Sequence, residues 1–298
     1  MFVQDLIPNF LYRGQMKMCS CKARPQIPSH FANQIALINT RMNKTEIANF
    51  LLDNTYLVNV FQDGHLVSQG SAFPFNKNGD LLTAAHVITG KLPYSDKDID
   101  NLTIACRKPG LDYDIYDCSI LAPSISLSHF KDPIFIDAAI LINRHREREV
   151  NFFECPESEV VAGTDVLMCR YSDEIEPPLS FQRNLNLKHP DFLGIESKLI
   201  SSIETHIKLS MVKSGMIGRA LKVVFTDAGI SGFSLYIDNG IHQGASGGPV
   251  VNDKNQVIGI ITQRAITDSS TTENPDLKVP SGSTIAISPS LILKCKPS

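Results

Sequence analysis

No segment of the 298-residue sequence approaches the roughly 20 apolar residues that a membrane-spanning helix needs, so no membrane span is expected. A secretory leader is equally unsupported: Met1 to Pro8 has no basic stretch, and Asp5 and Pro8 interrupt its short apolar run. Strong charge of either sign is missing too. Lys+Arg number 28 against 31 Asp+Glu, a formal charge of -3, and no basic stripe is long enough to track phosphates, which argues against nucleic acid as a partner. Cysteine is sparse, at seven residues (19, 21, 106, 118, 155, 169 and 295), an odd number spread thinly, unlike a disulfide framework. Free, mostly buried thiols in a cytoplasmic protein are the expectation. Cys19 and Cys21 form the one close pair, but no second Cys/His pair with ligand spacing accompanies them, so no metal and no cofactor are expected.

What is present reads as a mainly β chain of ordinary globular composition, 43% hydrophobic and 20% charged. From Thr55 onward, short β-branched and aromatic runs alternate with turn signals. Tyr56–Gln62 alternates, Asp63-Gly64 supplies a hairpin turn, His65–Phe75 returns, and Asn78-Gly79 turns the chain into a strand over Leu81–His86. Further strands are expected at 102–106, 115–121, 138–142, 165–170, 221–225, 233–237, 249–251, 257–262 and 284–287. Residues 28–54 instead carry helical spacing, with Ile47, Phe50 and Leu51 on one face behind a cap at Thr45. Residues 196–219 mix helical spacing with β-branched residues and stay ambiguous. The charged run 144–149 and the polar stretch 155–159 read as a solvated connection. Three parts result: a helical N-terminal extension over 1–54, a first lobe over 55–150 and a second over 151–298.

The strongest local signal is Gly244-Ala-Ser-Gly-Gly-Pro249, a serine in a glycine-dense turn between strands. Amide hydrolysis by serine needs a hydroxyl in a cleft and backbone N–H groups aimed at the oxygen that turns negative, here those of Gly244 and Ser246. Glycine supplies the dihedral freedom for this. A serine hydroxyl also needs a base that works near neutral pH, and imidazole fits. His86 closes the apolar run Leu81-Leu-Thr-Ala-Ala-His86. The imidazole in turn needs a buried carboxylate. Asp137, between Pro133-Ile-Phe-Ile136 and Ala138-Ala-Ile-Leu141, is a charge in apolar surroundings that must be paired. Asp132 competes for that role, though it reads as a loop residue.

His86, Asp137 and Ser246 occur in the His, Asp, Ser order of chymotrypsin. With Thr83-Ala-Ala-His86, Asp137-Ala-Ala-Ile-Leu141 and Gly244–Pro249, residues 56 to about 290 resemble the trypsin-like serine proteases. Gly70-Ser-Ala-Phe73, Asn252–Ile260 and Ser283–Ser288 resemble the HtrA/Deg type most. The resemblance implies two six-stranded antiparallel barrels and a serine endopeptidase acting on polypeptide through an acyl-enzyme, with His86, Asp137 and Ser246 as the triad. The alternative is a gated or non-proteolytic peptide-binding module on the same fold. It also implies that Gly240, Ile241, His242 and Gln243 form one wall of the P1 pocket. Ile261, Thr262, Gln263 and Arg264 would be the strand on which substrate backbone pairs.

Two departures stand out. Ala245 occupies the position where digestive members carry the aspartate that pairs with a newly cut N-terminus. Few residues follow the last strand, so no PDZ domain is expected. Control through residues 1–54, by a homo-oligomer or a regulatory protein, is the expectation left open. No acidic selector stands where trypsin places one, which points to a small or medium apolar P1 residue, with an acidic one recruited by Arg264 and His242 as the minor alternative.

Overall fold

The computed structural model describes residues 42–109, 111–126, 131–144, 150–157, 159–171, 210–226, 229–240, 244–268 and 278–295. Ile241, His242, Gln243, Cys19, Cys21, residues 28–41 and residues 196–209 of the ambiguous stretch lie outside them. Among the described residues, no helix is long and apolar enough to cross a membrane.

The first barrel is built from β1 (Tyr56–Gln62), β2 (His65–Pro74), β3 (Leu81–Thr83), β4 (Leu102–Arg107), β5 (Tyr113–Leu121) and β8 (Ala139–Asn143). A two-stranded pair, β6 (Ser124–Ile125) with β7 (Ile134–Phe135), precedes its last strand. The second barrel comprises β9 (Asp165–Tyr171), β10 (Ser210–Phe225), β11 (Ile230–Ile237), β12 (Pro249–Val251), β13 (Val257–Asp268) and β14 (Lys278–Ile287). Both are closed, in the orders β1-β2-β3-β8-β5-β4 and β10-β11-β14-β13-β12-β9. Numbered within each barrel, the two share one cyclic order, 1-2-3-6-5-4. This is the chymotrypsin-like double barrel that the motifs imply.

Local chemistry explains the strands. Asp63 (φ 50°) and Gly64 (φ 81°) are both left-handed, as a two-residue hairpin turn requires, and they pair Gln62 with His65. β10 is a single 16-residue strand where only 221–225 is expected from sequence. Two partners sustain it: Ser210–Met216 pair with β9 and Ile217–Phe225 with β11. The strand expected over 81–86 ends at Thr83, opposite Ala139, and a helical turn α2 (Ala85–Thr89) follows, closed by left-handed Gly90. The apolar run is continuous through this change of conformation, so composition does not mark it.

Helix α1 (Lys44–Asn54) is capped by Asn43 rather than Thr45. The Asn43 side chain accepts from the Thr45 and Glu46 amides, and the Glu46 carboxylate accepts from the Asn43 amide. Its apolar face is not exposed: Ile47 and Leu51 are buried in one cluster with Leu167, Cys169, Val251, Val257 and Ile260 of the second barrel. Phe153, on the connection between the barrels, is fully buried and meets Phe50 and Phe73 edge to face at 5.0 and 5.8 Å. Helix, connection and both barrels thus share an apolar seam, and the barrel interiors form two further clusters. Of the described cysteines, all free, Cys106 and Cys169 are buried, Cys155 and Cys295 partly so and Cys118 exposed. Burial is thus less general than the sequence suggests.

Candidate active site

His86 lies on the first turn of α2, in the connection between the third and fourth strands of the first barrel. Ser246 lies in the corresponding connection of the second barrel, between β11 and β12. Equivalent loops of two equivalent barrels therefore carry the two residues.

Asp137 belongs to the short link between β7 and β8. Its neighbours Ile136 and Ala138 are buried and hydrogen-bonded to Pro123 and Ala122, and the Ala138 amide donates to the Ile136 carbonyl at 2.8 Å, a γ-turn with Asp137 at its centre. There its Oδ2 lies 2.8 Å from His86 Nδ1, and its Oδ1 accepts the His86 backbone N–H at 3.0 Å. The side chains are 13% and 27% exposed, respectively, so the pair is shielded on one side and open on the other. With Nδ1 engaged, Nε2 is the nitrogen left to exchange a proton. The competing Asp132 is exposed in the bend ahead of β7.

The serine turn is a tight one. The Gly248 amide donates to the Ala245 carbonyl at 3.1 Å, which puts Ser246 second and Gly247, at φ 83°, third in a β-turn. A positive φ at that third position is what a type II turn demands of glycine. Space demands it as well: a Cβ on Gly247 would press into Ser71 O and Thr83 Oγ1 of the first barrel. Among the described residues, neither the Gly244 nor the Ser246 amide has a protein acceptor. The Ser246 hydroxyl faces β13, where Oγ reaches the Thr262 carbonyl at 3.5 Å, a long contact for a hydroxyl donor.

No family model matches the sequence, and no curated protein matches it. Solved structures do match. One is the Rv3671c protease in its inactive form, with TM-score 0.47 and 14% identity over 83% of this chain and 89% of that one. Another is the Rv3671c protease from M. tuberculosis in its active form, with TM-score 0.48 and 13% identity over 93% of this chain and 92% of that one.

Ala245 points away from the turn into the second barrel. It is 1% exposed and packs in the cluster of Val166, Met168, Ile217, Leu235 and Val250. A carboxylate there would be enclosed by hydrocarbon.

Alongside the turn, β12 pairs with β13 only as far as Pro249 opposite Ile260. Ile261 is met by the turn itself, donating to the Gly248 carbonyl at 3.0 Å and accepting the Gly247 amide at 2.7 Å. Beyond Ile261, β13 bulges at Thr262, and Gln263 and Arg264 pair with β14 on one side and, among the described residues, with no strand on the other. Thr262 is buried, Gln263 exposed and Arg264 half-buried. Gly240 ends a tightly held segment. Its carbonyl accepts from Lys213 Nζ at 3.0 Å, and its Cα sits so close to Gly282 that a Cβ would overlap that backbone at 2.8 Å. Just before it, Asn239 donates to the Ser214 carbonyl at 2.6 Å and its own carbonyl accepts Thr284 Oγ1 at 2.5 Å.

Motif reasoning includes Ser71 in the Gly70-Ser-Ala-Phe73 string but assigns it no role. It is fully buried on β2, and every polar group it owns is engaged. The amide donates to Ser246 O at 2.8 Å, the hydroxyl donates to Gly244 O at 3.2 Å and accepts the Tyr171 amide at 2.9 Å, and the carbonyl accepts Thr83 Oγ1 at 2.7 Å.

Proposed function

We propose that this chain is a serine endopeptidase, nearest in kind to the HtrA/Deg type, that works through an acyl-enzyme. The observation that carries the reading is the imidazole of His86 held through Nδ1 by Asp137 at 2.8 Å, with no partner for its other nitrogen among the described residues. Ser246 attacks the peptide carbonyl and His86 Nε2 takes its proton. Asp137 fixes the tautomer and stabilises the imidazolium. The Gly244 and Ser246 amides bind the oxyanion. Collapse expels the amine, which takes the proton back from His86, and water repeats the sequence to free the acid. Substrate backbone pairs along the edge of β13 at Thr262–Arg264 that no described strand covers, and the P1 side chain rests against Gly240 and the residues after it.

A second reading, a gated form of the same site, is favoured by one observation: the Ser246 hydroxyl faces Thr262 O instead of an imidazole nitrogen. In that case rotation of one side-chain torsion arms the nucleophile. A fluorophosphonate probe tests both. Labelling of wild type that is lost in Ser246→Ala and reduced in His86→Ala supports the endopeptidase. Labelling that requires an added peptide supports the gated form, and none under any condition refutes both. We infer a cytoplasmic setting, on the free thiols of the described residues.

A further inference from the structure

Two consecutive residues of β2 touch both halves of the proposed centre. Gly70 has no side chain where Val87, the neighbour of His86, packs: a Cβ would lie 2.5 Å from Val87 Cγ2 and 3.0 Å from Ser246 O. Ser71 holds the serine turn. One hydroxyl has one hydrogen to give, and here it goes to the Gly244 carbonyl, while its lone pair takes the Tyr171 amide. The backbone N–H of the same residue takes the Ser246 carbonyl.

The consequence follows from peptide planarity. Holding the Gly244 carbonyl fixes the plane between residues 244 and 245, and holding the Ser246 carbonyl fixes the plane between 246 and 247. The plane between them carries the Ser246 N–H, one of the two donors assigned to the oxyanion. That plane also carries the Ala245 carbonyl, held within the turn by the Gly248 amide, and with its neighbours on both sides anchored to one residue of the other barrel the N–H has little room to swing. Ser71 cannot relax to follow it, since its own carbonyl is tied to Thr83 Oγ1 and it is sealed from water.

We propose that the Ser71 hydroxyl is a positioning residue for the reaction: reaching across from the first barrel, it sets the orientation of the Ser246 amide in the oxyanion-binding turn. This rests on the reading of Ser246 as nucleophile. Alanine at 71 keeps the backbone bond to Ser246 O but leaves the Gly244 carbonyl and the Tyr171 amide unpaired.

The test compares full-length wild type, Ser71→Ala, Ser71→Cys and Ser288→Ala. Ser288 is a buried hydroxyl just past the end of β14 that accepts the Phe233 amide at 2.6 Å and lies 3.2 Å from Ser290 Oγ, so its loss removes structural bonds only. Two measurements are made: saturable labelling by a fluorophosphonate, resolved into a maximal rate and a half-saturating concentration, and amide hydrogen exchange of the 244–248 segment. In Ser71→Ala the maximal rate falls about 10- to 100-fold, the cost of misplacing a reacting group, with half-saturation unchanged within about threefold. Exchange across 244–248 speeds up in parallel. Ser71→Cys, whose thiol fills the space but donates weakly, behaves the same way and covers the case in which alanine does not fold. Ser288→Ala lowers the melting temperature and leaves the labelling rate alone. A folded Ser71 variant that labels at the wild-type rate overturns the proposal. If wild type itself does not label, the hydrolytic reading falls and takes this role with it. Exchange that still quickens in Ser71→Ala would then separate a turn held by Ser71 from a serine that does no chemistry.

Discussion

His86 and Asp137 are joined twice, by the imidazole Nδ1 at 2.8 Å from Oδ2 and by the backbone N–H donating to Oδ1 at 3.0 Å. The two bonds demand that both carboxylate oxygens accept. Asparagine at 137 offers one acceptor and one donor. If its oxygen keeps the backbone N–H, its NH₂ faces Nδ1, which must then accept, and the ring proton moves to Nε2. That is the wrong nitrogen for a base that must take the Ser246 proton. Asp137→Asn is therefore expected to fold with a near-normal melting temperature and to lose about 10⁴-fold in turnover at neutral pH. Steady-state hydrolysis beside a thermal melt decides it, and a loss below about tenfold would remove Asp137 from the proposed mechanism.

Ala245 makes a statement about activation. Its methyl group is enclosed by Val166, Met168, Ile217 and Val250. Replacing it with aspartate puts a charge into hydrocarbon with no described partner, which should cost about 3 to 5 kcal/mol. Urea denaturation of Ala245→Asp is expected to show that loss, with no gain of labelling when the N-terminus is trimmed. A variant as stable as wild type would mean that an ion-pair partner is within reach.

Gly247 and Gly64 separate two reasons for glycine. Both are left-handed, at φ 83° and 81°. A Cβ at 64 meets nothing within 4 Å, whereas at 247 it presses on Ser71 O, Thr83 Oγ1 and the Ala84 amide, the segment leading into His86. Gly64→Ala should cost only the conformational penalty, about 1 to 2 kcal/mol, and keep full labelling. Gly247→Ala should add the loss of labelling, because the turn must back away from the first barrel. Equal labelling by the two would show that the close approach is unimportant.

These cases also show which parts of the molecule sequence reveals. The segments carrying His86, Asp137 and Ser246 stand out in the sequence because each is a local string with its own chemistry, and the structure joins two of them, His86 and Asp137, by hydrogen bonds. All twelve barrel strands are legible because alternation and turn residues are local too, but three run well past their expected bounds: β10 begins at Ser210, its first half ordered by pairing with β9, and β13 and β14 extend to Asp268 and back to Lys278 by pairing with each other. Ser71 lies in the string Gly70-Ser-Ala-Phe73, but nothing local in that string gives it a role. Its hydroxyl partners lie 100 and 173 residues away, so the role emerges only when the barrels are brought together. The Asn43 cap is missed for a smaller reason, since Asn-Lys-Thr-Glu offers two side chains able to cap and only the geometry selects between them. The change from strand to helix between Thr83 and Ala85 is invisible because both conformations there bury the same apolar residues.

Cys169 contributes one part of an alkaline pH dependence, beside Cys106, Cys118 and Cys155, whose thiols burial also raises. The Cys169 backbone carbonyl lies directly under Gly248 of the serine turn, and burial raises its thiol from 9.0 to about 11, partly opposed by a hydrogen bond with Thr55. In the unfolded chain the thiol ionises near its ordinary value, so above pH 9 the unfolded state loses protons that the folded state keeps. Stability is then undiminished below about pH 8.5, declines as pH rises and is lost progressively up to about pH 11. Two measurements check it. Urea midpoints taken from pH 7 to 11 should fall with a slope that Cys169→Ala reduces. Iodoacetamide at pH 8 should leave Cys169 unmodified in the native protein and modify it in urea. Native alkylation at the rate of an exposed thiol would mean that the floor of the serine turn opens to solvent, and the seal argued for Ser71 would be lost with it.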